Sequence, residues 1–216
     1  KSFRSDLIIF CRNSIHKLVN INDSSNIAIV PVTQNVGCLS SHSIQEIGGD
    51  LVFLSPDGIR SVAGTSRIGD VELGSVSRQI QSIISAIANS INSFTITSAV
   101  LRSKSQYRLF YNTDGGSTAS AKGIIGTLTA NGFEWSETLG IQATGFASGF
   151  AETGIEKLYH GDSQGYVYNH NTGNTFIASG TAFDLNAIYQ TPNYDFGDIG
   201  TRKTLHYAKI SITPEG

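Results

Sequence analysis

This sequence is short of charge, cysteine and methionine, and each shortage narrows what the chain can be. Only 15% of its 216 residues are Asp, Glu, Lys or Arg, where a typical globular domain carries about 25%. Beside 39% hydrophobic residues, so little charge still leaves enough apolar surface to fill a core, which is not the signature of a disordered chain. The formal net charge is −2. A dedicated nucleic-acid binder needs a basic surplus to neutralise phosphates, and none exists here. The two cysteines, Cys11 and Cys38, are neither CxxC-spaced nor numerous enough for a disulfide framework. Both sit in or beside apolar runs and read as buried free thiols. No apolar run approaches the ~20 residues that span a bilayer, so no membrane insertion is expected, and no signal-peptide pattern opens the chain. Methionine is absent, even at position 1. With a strand-like run close to its start, the chain reads as an excerpt of a longer polypeptide.

What is present is short, apolar and repetitive. Leu7 to Cys11, Ile27 to Val30, Leu51 to Leu54 and Leu109 to Tyr111 are brief runs rich in β-branched and aromatic residues, which read as strands. They do not alternate with polar residues, so each strand is expected to be covered on both faces. Parallel sheets achieve that with helices, but only one good helical pattern exists. Sheets stacked on sheets achieve it equally well. The 23 glycines supply the positive φ angles of tight turns.

The turns suggest hairpins. Ser55-Pro56-Asp57-Gly58 sits between Leu51–Leu54 and Ile59–Val62, with Pro, Asp and Gly where a turn needs them. Gly161 to Gly165 does the same between Lys157–Tyr159 and Tyr166–Tyr168. Arg12-Asn13-Ser14 links the first run to Ile15–Leu18, Asn112 to Gly116 follows Arg108–Tyr111, and Asn131-Gly132 is a two-residue hairpin signal.

Ile9, Phe53, Phe110 and Tyr159 are equivalent strand centres, spaced by 44, 57 and 49 residues. A period of about 40–50 residues, with several strands per unit, marks a propeller blade. The long gap contains Val76, Ile80, Ile83, Ile84, Ile87 and Ile91 at helical spacing. This predicts about four turns of amphipathic helix near residues 75–91, its Ile stripe packed on the sheets. The fold expected is therefore all-β: a β-propeller, partial or complete, of antiparallel blades with one inserted helix, over residues 1–216. Near the end, Phe183 to Tyr189 reads as a strand, and Thr204 to Thr213 alternates as another. Residues 190–216 could close a ring or begin a following domain.

Catalytic and metal signatures are missing. His16, His42, His160, His170 and His206 form no HExxH and no close pair in sequence. His160 and His170, separated by a hairpin, read as exposed turn and strand-edge residues. There is no GxSxG elbow and no phosphate-binding loop. Asp162-Ser163-Gln164-Gly165 only faintly resembles a calcium loop, since Tyr166-Val167-Tyr168 stands where further carboxylates belong. Asp50 and Asp57 read as turn formers. Glu134, Glu137, Glu152 and Glu156 are glycosidase-type acids by residue type alone. Tyrosines at alternate strand positions read as core residues with a polar tip, with a stacking platform for sugars or bases as the sharper alternative. No catalytic, cofactor-binding or metal-binding residue is assigned, and no cofactor is expected.

Several stretches in order carry a family resemblance. They include Val36-Gly37-Cys38, Ser43 to Asp50, Phe53 to Arg60, Ile68-Gly69-Asp70, Lys104 to Phe110 and Gly123 to Thr127. Phe133-Glu134-Trp135, His160-Gly161-Asp162, Gly165 to Tyr168, Phe196-Gly197-Asp198, Arg202-Lys203-Thr204 and Pro214-Glu215-Gly216 follow. Over most of the chain these resemble the propeller portion of bacteriophage tail structural proteins, most closely the tail nozzle (tail tubular protein B) family of short-tailed phages. The resemblance implies a virion protein and a ring of identical subunits, six in number, below the portal and adaptor. It implies a central channel through which DNA leaves without being specifically bound. It implies no cofactor and no catalysis. Ser- and Thr-rich loops such as Gly115 to Ala121 would meet other tail proteins. Two other readings stay open: a glycan-binding tail module using Tyr194 and Phe196, and a propeller enzyme of the quinoprotein or glycosidase kind.

Overall fold

The structure, a computed structural model, describes every residue except 5, 64–74, 114–120, 174, 179–180, 185, 191–193, 195, 199 and 212–216. It is an all-β protein. The chain divides into two compact units, Lys1–Asp184 and Leu185–Gly216.

The first unit is a series of antiparallel meanders, each built from neighbouring stretches of chain. The first sheet holds β1 (Ser2–Phe3), β2 (Asp6–Phe10), β3 (Ile15–Val19) and β4 (Ala28–Thr33) in that order. The second holds β5 (Gln45–Ile47), β6 (Asp50–Ser55) and β7 (Gly58–Ser61). The third holds β8 (Thr95–Leu101), β9 (Gln106–Asn112), β10 (Lys122–Thr129) and β11 (Gly132–Leu139), and the fourth β12 (Gly145–Phe150), β13 (Glu156–Gly161) and β14 (Val167–Asn169). A ribbon of β15 (Thr175–Ala178) and β16 (Thr181–Asp184) follows. Ile9, Phe53, Phe110 and Tyr159 each lie on an interior strand of a different sheet, as the spacing predicts.

Coverage on both faces explains the runs Leu51–Leu54 and Leu109–Tyr111. Ile27–Val30 departs from that expectation, because it enters β4 at the edge of the first sheet and is exposed. Leu51 and Phe53 of β6 pack with Ile8 and Ile15 of the first sheet. Val52 and Leu54, on the opposite face, join Val100, Tyr107, Leu109 and Ile124 of the third sheet. Along β9, Tyr107 and Leu109 face the second sheet, while Phe110 stacks on Phe146 of the fourth, centroids 4.6 Å apart. Successive side chains on a strand point to opposite faces, so each interior sheet serves two junctions.

The helix is present but shorter than its pattern suggests. Helix α1 covers Gln81–Asn89, flanked by 3-10 turns at Arg78–Ile80 and Ile91–Ser93. Ile80, Ile84 and Ile87 are buried in the junction of the second and third sheets, with Val76, Ile83 and Ile91 partly buried beside them. Trp135 clamps the approach to the helix, its indole N–H donating to the Val76 carbonyl at 2.7 Å.

Most turns fall where expected. Ser55 pairs with Gly58 across a two-residue Pro56-Asp57 turn. Asp57 also binds the Arg60 guanidinium, and Asp50 accepts the Leu51 and Ala63 N–H groups. The β10–β11 loop is Ala130-Asn131 rather than Asn131-Gly132, because Thr129 pairs with Gly132; Gly132 takes φ +111° as the first residue of the returning strand. Most of the Asn112–Gly116 turn and of the Gly115–Ala121 loop lies outside the described residues, as does Ile68-Gly69-Asp70.

The thiols differ from expectation. Both are free, but Cys11 is exposed and only Cys38 is shielded, and that partly. Cys11 follows the last residue of β2 and belongs to the turn, where its N–H donates to Ser14 and its carbonyl accepts from Cys38. Burial raises the Cys38 thiol pKa, which keeps it protonated and unreactive.

In the second unit, described residues carry no helix or strand. The predicted strand at Phe183–Tyr189 is realised only as far as Asp184, within β16. Residues 204–211 are exposed and unpaired as strand, and 212–213 lie outside the described residues. Among the described residues no helix is long and apolar enough to cross a membrane.

Candidate functional site at the junction of the third and fourth sheets

The most concentrated side-chain chemistry lies where the third and fourth sheets meet. Hairpin β13–β14 pairs His160 with Tyr168. His170, two residues further on, falls on the same face and diagonal to His160, a position within reach of a ring. The backbone fixes this, since the His170 N–H donates to the Leu158 carbonyl at 2.8 Å. The result is a direct hydrogen bond between His160 Nδ1 and His170 Nε2 at 2.7 Å.

This corrects the reading of the two histidines as exposed edge residues. His160 is buried and stacks on Tyr168 at 4.8 Å. His170 meets Phe146 and the edge of Phe110. Separation by a hairpin brings them together rather than apart.

Arg108 of β9 completes the cluster from the third sheet. Its guanidinium is buried. It donates to Gln106 Oε1 through Nε at 3.1 Å and Nη2 at 2.6 Å, to Asn171 Oδ1 at 3.4 Å, and lies 3.4 Å from His170 Nδ1. A guanidinium can only donate, so His170 Nδ1 must accept. His170 then carries its proton on Nε2 and donates to His160 Nδ1, leaving the His160 proton on Nε2. Every ring-nitrogen role is set, and both rings must be neutral.

The electrostatics agree. Burial lowers the His160 pKa to about 4, with the Asp162 carboxylate opposing. His170 drops to about 3 through burial, then through His160 and Arg108. Burial also lowers the Arg108 pKa.

Asp162 shows why its loop is a turn. Its Oδ1 accepts the Gln164 and Tyr166 N–H groups at 2.8 and 2.9 Å, and its Oδ2 accepts the Tyr168 hydroxyl at 3.0 Å. These bonds hold its pKa low against partial desolvation. At the far end of the junction, Glu156 accepts the Arg102 and Ser103 N–H groups at 2.9 and 2.7 Å, tying the fourth sheet to the 3-10 turn after β8.

The other acids do not converge with these. Glu134 and Glu137 lie on β11, three residues apart and so on opposite faces, and Glu152 is exposed in the β12–β13 turn. Glu137 lines a separate cleft of about 360 Å³ between α1 and the third sheet, with Ile83, Phe94, Tyr111 and Lys122. Among the described residues no group of three or more His, Cys, Asp and Glu could hold a metal ion. Tyr107 has the expected core role, fully buried with its hydroxyl donating to Ser43. Tyr159 and Tyr166 are instead exposed.

No protein-family model matches the chain, and no curated protein sequence matches it significantly.

Proposed function

We propose that this chain is a structural module of a bacteriophage tail, in which the four stacked sheets are blades of a β-propeller and no catalysis is carried. The observation that carries the reading is the stacking order. Four antiparallel meanders follow one another along the chain and pack face to face in that same order, as propeller blades do. The ordered family resemblance from Val36 to Gly216 supplies the phage-tail element. Under this reading identical subunits, six in number, form a ring at the nozzle, with closed cyclic symmetry. The neighbours are the adaptor and other tail proteins, the location is the tail of the virion, and the weakly acidic composition suits DNA that passes without being gripped. Exposed apolar residues such as Ile29 and Val167 suit contact with other blades or subunits.

Cryo-electron microscopy of intact particles tests the proposal. Density for the chain as a symmetric ring around the tail channel is the expected result. A soluble monomer absent from any particle overturns it.

A second reading, glycan binding, draws on Tyr194 and Phe196. Both rings are exposed, with centroids 6.2 Å apart, and exposed aromatic pairs are stacking surfaces for sugars. Phe196 also sits at φ +54°, a backbone strain that suits a functional position. Unchanged binding of host-surface glycans after Tyr194→Ala and Phe196→Ala together would remove this reading.

A further inference from the structure

We propose that the Arg108–His170–His160 chain is an acid-released latch that holds the fourth sheet on the third at neutral pH and lets it go when the histidines are protonated. The latch spans the junction. Arg108 belongs to β9, His160 to β13, and His170 follows β14. Each hydrogen bond has a single allowed direction, from guanidinium to His170 Nδ1 and from His170 Nε2 to His160 Nδ1.

A proton has no harmless place to go. On His170 Nδ1 it would face the Arg108 guanidinium, donor against donor and cation against cation. On His160 Nδ1 it would face the His170 N–H. Either event breaks the chain and adds positive charge beside a buried guanidinium whose three named partners are all neutral. Asp162, engaged with the Tyr168 hydroxyl, is the anion that faces His160 and opposes the effect. Tyr168, stacked on His160, is the other titratable group at this end of the junction, since β8 and β12 contain none; Glu156 and Arg102 stand at the far end.

The rest of the junction is small, and it includes the buried Asn112 Nδ2 bond to the Ala143 carbonyl at 2.8 Å, which acid does not change. Its apolar cluster is Ala99, Leu101 and Leu158 with Phe146 packed against them. Glu156 adds a tie that also needs a charged form, so stronger acid loosens that end as well. Release would uncover the stacked faces of Phe110 and Phe146.

Imidazole nitrogen NMR and amide exchange on the full chain test this. At pH 7.5 both rings should be neutral Nε2–H tautomers. They should titrate together well below pH 6.5, in step with a rise of tenfold or more in intrinsic-rate-corrected exchange across β12–β14, while β5–β11 stay protected. A His160→Gln, His170→Gln double variant should lose that pH step. A charged ring at pH 7.5, protonation without faster β12–β14 exchange, or equal loss of protection in β5–β11 overturns the latch. So does a folded double variant that opens at the wild-type pH. The wild-type titration decides the matter even if the double variant does not fold.

Discussion

The third sheet has two faces that solve the same packing problem by different means. Toward the second sheet, Tyr107, Leu109, Val100 and Ile124 meet Val52, Leu54 and the Ile stripe of α1 in one large apolar cluster. Toward the fourth sheet, apolar contact shrinks to Ala99, Leu101, Leu158 and the Phe110–Phe146 stack. The remainder is polar: a directed hydrogen-bond chain from Arg108 through two histidines, the Asn112 bond to the Ala143 carbonyl and the Glu156 tie. Both faces come from alternate residues of the same strands, Tyr107 and Leu109 on one side, Arg108 and Phe110 on the other. Apolar burial is non-directional and insensitive to pH. A buried polar chain is directional and fails whenever one member changes its protonation. The first face is built to be permanent and the second to be conditional.

The widest break in this comparison should come from cavities. Leu109 and Leu158 are both buried, one at each face. Leu109→Ala should cost about 2–5 kcal/mol, read as a lower midpoint in urea for the whole first unit. Leu158→Ala should show itself first as faster amide exchange confined to β12–β14. Equal losses of global stability for both would mean the two faces unfold as one and that the contrast is empty.

Acid should act next. Both histidines are held neutral in the folded protein, at pKa values of about 4 and about 3, whereas in the unfolded chain they take up protons near 6.5. Below 6.5 the unfolded state therefore binds more protons. Stability is complete above that pH and falls as the pH drops from 6.5 toward 4, by up to about 1.4 kcal/mol per pH unit for each histidine. Urea midpoints at pH 7.5, 6.0 and 5.0 should fall in that order. The Gln double variant should flatten the series.

Two glycines give a smaller and more local comparison. A Cβ on Gly123 would meet Phe110 Cδ1 at 2.6 Å, and one on Gly126 would meet Trp135 Cη2 at 2.7 Å. Gly123→Ala should tilt Phe110 off Phe146 and cost about 1–3 kcal/mol, with β12–β14 exchange rising most. Gly126→Ala should disturb Trp135 instead, visible as a shift in tryptophan emission with β12–β14 protection retained. Reversed patterns would show that the two faces have been misassigned.

The sequence made the meanders legible and left the junction chemistry dark. Runs such as Leu51–Leu54, apolar without alternation, announce strands covered on both sides, and the turn residues around Pro56 and Gly165 place the hairpins. The helix was visible in its Ile stripe, but periodicity says little about ends, so the pattern runs beyond Gln81–Asn89 into 3-10 turns. Cys11 reads as buried because it ends an apolar run, but β2 stops at Phe10 and leaves the thiol in the turn. The histidine pair was hidden by register. The hairpin between Leu158 and Tyr168 reads from sequence with its turn at Gly161–Gly165, but Gly161 pairs with Val167, so the turn lies one residue further on and sets His160 opposite Tyr168, and so diagonal to His170. Once that register is assumed, the ten-residue spacing of the histidines becomes a usable signal. Arg108 stood outside it entirely, because nothing local tells a strand which distant sheet its alternate residues will meet.

Glu156 offers the finest test of the conditional face. It lies at the other end of the fourth sheet from the histidines and binds two backbone N–H groups of the turn after β8, the work of a helix cap. The site is partly exposed, so water can replace the carboxylate at modest cost, and Glu156→Ala should lose only about 0.5–1 kcal/mol. Its pKa is lowered in the fold by the Ser103 and Arg102 N–H bonds against partial desolvation. That contribution is therefore present above the ordinary Glu range and lost as the pH falls through and below it. If the two ends of the sheet are independent, Glu156→Ala and the Gln double variant should add in urea denaturation. If they act as one hinge, the double variant should already have released what Glu156 holds, and the combined loss should be less than the sum. A combined loss greater than the sum would mean that each end holds the sheet when the other is gone.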